Sequence, residues 1–305
     1  MRKRDFRKYV AYIKERRHTT IADYYIEKDY FLSLFLSTWR SLKETGKTPH
    51  MDALIFKGGT LLARNYLQYP RISEDLDFTH EDSNRLRHIG NVNKREQEIK
   101  NCILPILEEI KIVCDAGGFD FDINRKNTRY VMVRNSRAVY VLLFYYHSMI
   151  TNEEIPIKIE INFLENIMHT CIESRINTII EKDTFLKSIG YDLENITMKT
   201  YSLQEIILEK YRAILTRGTV KERDVLDLFL IHHTGNDVFI SDINSIFNKI
   251  QSGVLIAPDL RKNLEKNCQL FEKETFAESD DDISRFTLID IDNIALDLHK
   301  LFSIK

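Results

Sequence analysis

Apolar positions in residues 5–17 recur at helical spacing and predict a short amphipathic helix. Residues 21–44 extend the pattern, with Ile26, Tyr30, Leu34 and Trp39 among the apolar positions. The Gly46–Pro49 segment breaks that helix. A short apolar run, Ala53-Leu54-Ile55-Phe56, predicts a strand, Thr60–Leu67 a helix, and the run opened by Asp75 a second strand. Residues 80–94 are polar and predict a loop. Lys94–Cys114 predicts a helix interrupted or kinked near Pro105 and ended by Gly117-Gly118. Strand-rich segments follow at Phe119–Asn124, Tyr130–Arg134, Ala138–His147 and Ile155–Phe163. The last alternates cleanly: Ile155, Ile157, Ile159 and Ile161 take one face, Pro156, Lys158, Glu160 and Asn162 the other.

From Ser202 the period becomes helical again. Ser202 with Glu205 forms a capping-box pattern, and Leu203, Ile206, Ile207, Tyr211 and Ile214 form an apolar stripe. A turn at Arg217–Thr219 leads to a further helix through Lys221–Leu228, with His232-His233 as a helix end rather than a ligand pair. Residues 240–305 predict two or three helices with a polar break at Ala277–Asp282. Strands followed by helices place the chain in the α+β class, as a mixed sheet of about five strands flanked by helices. The expected division is residues 1–50 as N-terminal helices packed on the core, 51–198 as the α/β core and 199–305 as a helical C-terminal domain.

Composition changes this picture little. The 305 residues, 43% hydrophobic and 30% charged, are ordinary for a soluble globular protein with room for a substantial core. Apolar runs such as Tyr140–Tyr146 are too short to span a bilayer, and no apolar stretch follows the basic N-terminus as a secretory signal requires. Cys102, Cys114, Cys171 and Cys268 are scattered, which reads as reduced structural thiols in the cytoplasm. Net charge is −2, yet residues 1–17 hold eight Lys/Arg against Asp5 and Glu15, and Glu278–Asp282 is acidic. Charge runs are usually solvated faces, but a basic arm can also meet nucleic-acid phosphates.

The chemistry concentrates in Lys57-Gly58-Gly59-Thr60 and Arg71-Ile72-Ser73-Glu74-Asp75-Leu76-Asp77-Phe78. A Gly-Gly turn lets backbone N–H groups approach a phosphate, and a following helix N-terminus favours anions. Asp75 and Asp77 alternate on one strand, so both carboxylates point the same way, suited to Mg²⁺. Either motif alone is usually a turn or a solvated pair. Their order around a strand and a helix points to metal-assisted phosphoryl or nucleotidyl transfer.

Lys-Gly-Gly-Thr-x-Leu followed by Arg-x-Ser-x-Asp-Leu-Asp-Phe resembles the nucleotidyltransferase family of AbiEii toxins, within the DNA polymerase β-like nucleotidyltransferase superfamily. The similarity runs over roughly residues 25–235; the fifteen residues between Gly59 and Asp75 exceed the usual spacing, which a turn at Tyr69-Pro70 accounts for. The resemblance implies a third acidic residue on a later strand, where Glu160 stands; on pattern alone Glu160 is equally a solvated strand residue. It also implies a helical lysine facing the nucleotide. Glu209-Lys210-Tyr211-Arg212-Ala213 is similar to that segment, although a lysine on an apolar stripe can also snorkel. Arg223-Asp224 resembles the family's final basic–Asp motif, with Arg where Lys is commoner. Asp224 either orients Lys210, accepts a proton, or only stabilises a helix N-terminus; Asp227 is a weaker candidate.

On this reading Lys57, Gly58, Gly59, Thr60, Arg71 and Ser73 hold the NTP, Asp75 and Asp77 bind Mg²⁺, and Glu160 completes a second Mg²⁺ site or acts as general base. Lys210 and Asp224 complete the site, in a cleft between the sheet and the helical domain. One ion would neutralise the leaving pyrophosphate and the other activate the acceptor hydroxyl. The resemblance further implies the toxin of a type IV toxin–antitoxin (abortive infection, phage defence) system with an AbiEi-like antitoxin and RNA, chiefly a tRNA 3′ end, as acceptor. Two alternatives stay open: transfer to a small molecule such as an antibiotic, or a non-catalytic nucleotide-binding partner module.

Overall fold

Helix α1 (Lys3–Arg17) buries Phe6, Tyr9, Val10 and Ile13, the stripe its periodicity requires. Helix α2 (Asp23–Glu44) buries far more, including Tyr30, Phe31, Phe35 and Trp39. After one tight turn (His50–Ala53), β1 (Leu54–Lys57) leads directly into α3 (Gly58–Leu61), which widens into a π-helical turn over Leu62–Tyr66. Gln68 and Tyr69 then both adopt left-handed backbone angles, which makes the turn that lengthens the approach to β2 (Asp75–His80). A short α4 (Ser83–Arg87) sits in the segment expected to be loop. Helix α5 (Val92–Gly117) runs unbroken through Pro105 and ends at Gly118, whose φ of 74° forms the left-handed cap. Strands β3 (Val131–Arg134), β4 (Val139–His147), β5 (Glu154–Asn162) and β6 (Ile172–Arg175) follow, then α6 (Thr184–Ser188), β7 (Thr197–Thr200), α7 (Leu203–Thr216) and α8 (Glu222–His233). The computed structural model describes residues 2–124, 126–135 and 137–233, with 245, 248–251, 260, 262–263 and 266–267. The helices expected over 240–305, the break at Ala277–Asp282, Cys268 and the His232 and His233 side chains otherwise lie outside that set.

The chain forms two units, Met1–Glu165 with Cys171–Tyr201, and Asn166–Thr170 with Ser202–Lys305. In the first, a mixed sheet runs in the order β3-β4-β5-β2-β1-β7-β6 among the described residues. The α+β class with helix-flanked mixed sheet is as expected; the strand number is not, since seven strands replace about five. The two unexpected strands, β6 and β7, are four residues each and largely polar, too short to show a period. Phe119–Asn124, by contrast, forms only the Asp120–Tyr145 bridge. Its Asp122 and Asn124 side chains accept backbone N–H groups two residues on, which competes with a ladder.

The central strands bury one face thoroughly: Leu54 and Phe56 of β1, Leu76 and Phe78 of β2, and Ile157, Ile159 and Ile161 of β5. Aromatic rings of α2 cover it. Phe35 stacks on Phe144 at 4.8 Å between centroids, and Trp39 meets Phe78 edge-on at 5.8 Å. Strand alternation therefore sends Asp75, Asp77, Lys158 and Glu160 to the opposite face.

In the second unit Ser202 caps α7, its hydroxyl accepting the Glu205 N–H. Glu205 does not return the bond. Its fully buried carboxylate instead accepts the N–H groups of Met168 and His169 and an ion pair from Lys249 at 2.6 Å. The capping box is thus half formed, because burial gives Glu205 stronger partners.

Candidate active site

Register builds the site. Lys57 of β1 lies opposite Asp77 of β2, and Asp77 lies opposite Glu160 of β5. One step away, Asp75 lies opposite Lys158. Two adjacent rows on one sheet face therefore carry three carboxylates and two ammonium groups, none of which the strand core could accept.

The Gly-Gly turn lies against this face. Gly58 has φ +81°, and a Cβ there would stand 2.3 Å from Asp77 Oδ2, so only glycine lets the backbone pass the carboxylate. Gly59 sits under Arg71 and Ser73, with a Cβ there 3.1 Å from Arg71 Nη2 and 3.2 Å from Ser73 Oγ. Thr60 is buried and its hydroxyl donates to the Asp75 backbone carbonyl, tying the turn to β2. Lys57 Nζ donates to Glu165 Oε1 at 2.9 Å and lies over the Tyr201 ring. Lys28 of α2 pairs with Glu74 at 2.6 Å, bracing the segment next to Asp75.

Electrostatics single out Asp77. Burial, then the Glu160 carboxylate, push its pKa up to about 6; Lys158 and Lys57 oppose the rise and Asp75 adds to it. A carboxylate so placed favours an added positive charge. Lys158 was not among the candidates. Its Nζ donates to Asp75 Oδ2 at 2.8 Å and stands 3.9 Å from Glu160 Oε2. The available signal was its place two residues before Glu160 on the polar face of β5.

The other two candidates, Lys210 and Asp224, belong to the second unit. Lys210 does not snorkel: its residue is 8% exposed, and Nζ lies 2.7 Å from Asp224 Oδ1 and 2.6 Å from Asp227 Oδ2. Arg217 also pairs with Asp224. Burial alone would raise the Asp224 carboxyl, but Lys210 and Arg217 hold it below the usual range. Asp224 and Asp227 thus both contact the Lys210 ammonium. The Asp-x-x-Asp spacing on one turn of α8 was the sign of the pair.

Among the described residues, the one trio of His, Cys, Asp or Glu whose donor atoms lie within 4.8 Å of one another is His80, Asp82 and Cys102. It fits a metal poorly. The Asp82 N–H donates to His80 Nδ1, Arg85 already pairs with Asp82 at 2.8 Å, and burial pushes the Cys102 thiol up, away from the thiolate a metal needs. The Asp75, Asp77 and Glu160 set fits better: three hard oxygen donors on one face beside a glycine cradle.

A family model described as the nucleotidyl transferase AbiEii toxin of the type IV toxin–antitoxin system matches residues 40–286. The chain belongs to the AbiEii family. Membership gives the chain nucleotidyltransferase activity, an NTP substrate and an antitoxin partner, as the toxin side of a type IV system. No curated protein matches the chain. Two solved structures are similar. A putative nucleotidyltransferase from H. pylori is 17% identical, with 87% of this chain and 92% of that chain covered, at TM-score 0.41. JHP933 from Helicobacter pylori is 14% identical over 87% and 89%, also at TM-score 0.41. No described helix is long and apolar enough to cross a membrane.

Proposed function

We propose that this AbiEii-family protein transfers NMP from an NTP to an RNA hydroxyl, a tRNA 3′ end in the first instance, with Mg²⁺ held by Asp75, Asp77 and Glu160. The observation that carries the reading is the row Lys57–Asp77–Glu160 with Gly58 pressed against Asp77. It supplies oxygen ligands beside backbone N–H groups at the start of a helix, the combination that a metal-bound triphosphate needs. A divalent ion bound there neutralises charge on the triphosphate and acidifies the acceptor hydroxyl.

The chain's own residues do the rest. Gly58 and Gly59 offer unobstructed N–H groups to the phosphates. Arg71, over Gly59, adds a guanidinium on the same side. Thr60 holds Asp75 in place through its backbone carbonyl. In the second unit, Lys210 is fixed between Asp224 and Asp227. The toxin acts in the cytoplasm, where NTPs and tRNA are found.

The RNA reading draws on the family and on exposed Arg4 and Arg7 rather than on a free basic arm. Most other cations of α1 are engaged: Lys14 with Asp23, Arg16 with the Tyr12 hydroxyl, Arg17 with the Ile179 carbonyl, Lys8 with Asp5. Incubation with each labelled NTP, Mg²⁺ and total RNA tests the proposal. Labelled tRNA is the expected product. Labelling of a small hydroxylated compound without RNA would establish the small-molecule alternative instead, and no transfer to either would leave a binding module.

A further inference from the structure

Lys158 is the one charged group on the carboxylate face for which the proposed chemistry has no use. It leaves β5 beside Glu160 and opposite Asp75, and its ammonium lies between their oxygens, 2.8 Å from one and 3.9 Å from the other. A lysine ammonium is ordinarily charged at neutral pH, and this one is fixed by donating a hydrogen bond to Asp75 Oδ2. Asp75, Asp77 and Glu160 do not meet within 4.8 Å of one another, whereas each of the outer two meets Lys158.

A divalent ion on this face needs the same oxygens. Lone pairs directed at an ammonium are not available to a metal, and two cations at such separations repel strongly even at a protein's effective dielectric. We infer that Lys158 is the resident counter-cation of the carboxylate face: it holds Asp75 and Glu160 when no divalent ion is bound and yields their oxygens when one binds. Lys158 is on this account a positioning residue that sets the affinity for the ion. The inference rests on the metal assignment made above.

Mn²⁺ binding without nucleotide, followed through the electron paramagnetic resonance signal of free Mn²⁺, separates the two claims. Wild type, Lys158→Gln, Lys158→Arg and Asp77→Asn are compared as full-length proteins checked for native circular dichroism. Lys158→Gln should bind Mn²⁺ roughly tenfold more tightly, because a like charge a few ångström from the ion is gone. Lys158→Arg keeps the charge and should stay close to wild type, and Asp77→Asn should lose binding. In wild type, Mn²⁺ should also raise the rate at which an amine-reactive reagent labels Lys158, read by peptide mass spectrometry. If Asp77→Asn loses binding while Lys158→Gln binds no tighter than wild type, the role of Lys158 is wrong and the metal assignment stands. If Lys158→Gln does not fold, unchanged Lys158 labelling at saturating Mn²⁺ overturns the role by itself. If Asp77→Asn binds Mn²⁺ as wild type does, the metal assignment fails and this inference with it.

Discussion

Gly58 and Asp77 are packed so closely that a single added carbon at Gly58 would fall 2.3 Å from the Asp77 carboxylate. Gly46 is the natural comparison, since its φ of +69° is equally left-handed but nothing lies within 4 Å of its missing Cβ. Gly46→Ala should cost only backbone strain, about 1–2 kcal/mol in urea denaturation, with transfer activity kept. Gly58→Ala should cost more than that and lower the transfer rate about a hundredfold, because Asp77 must move. Equal effects of the two substitutions in both assays would mean that Gly58 is a turn and nothing more.

Asp77→Asn should reduce transfer by about a thousandfold or more, as expected for loss of a metal ligand. Stability should move the other way. The Asp77 carboxyl is raised in the fold to about 6 from its usual value near 3.8, so ionising it costs more in the folded than in the unfolded chain. Its contribution is therefore neutral at low pH and becomes unfavourable as pH rises through that window. The variant should match wild type at acid pH and exceed it above pH 6 when no divalent ion is present. Thermal melts across pH in chelator are the measurement; a variant less stable than wild type at pH 7 would contradict the electrostatic account.

The motif elements were legible because each obeyed a strong local rule. Alternation in β5 put Lys158 and Glu160 on one face, and the apolar stripe of α2 was readable from its spacing. Long-range pairing was not readable. Nothing local reveals that Asp77 lies opposite Glu160, or that Lys158 reaches Asp75, since register belongs to the folded sheet. The short polar strands β6 and β7 form because β1 and β7 offer them backbone partners, not because their side chains ask for it. Lys210 shows the same limit: its stripe position was visible, the two buried carboxylates that hold it were not.

Those carboxylates change what removing Lys210 should do. Lys210→Met would leave Asp224 and Asp227 buried with one cation fewer, a loss of about 3–5 kcal/mol. Urea denaturation should show most of it at pH 7 and less at pH 4, where carboxylates can take protons. A variant of native stability at pH 7 would mean that the ammonium is not committed to this pair.

Thr60 separates a structural from a substrate-binding hydroxyl. Thr60→Val removes the donor to the Asp75 carbonyl and should cost about 1 kcal/mol or somewhat more, since the acceptor is left without it. Thr60→Ser should restore stability. If the hydroxyl instead binds the triphosphate, Thr60→Val would raise KM for NTP while leaving the denaturation midpoint unchanged.

The N-terminal helix calls for charge reversal rather than deletion. Phe6, Tyr9, Val10 and Ile13 are buried, so removing residues 1–17 would strip a core face and confuse unfolding with lost binding. Arg4 and Arg7 are exposed on that helix and can be reversed without touching the buried stripe. If tRNA phosphates lie along this surface, Arg4→Glu with Arg7→Glu should weaken tRNA binding. It should also flatten the dependence of log affinity on log salt by about two, one for each lost phosphate contact. Melting temperature and NTP binding should stay near wild type. Fluorescence anisotropy with labelled tRNA over a salt series gives the slope directly. An unchanged slope would move the acceptor's footprint off α1 and leave transfer to RNA to be argued from the labelled-NTP assay alone.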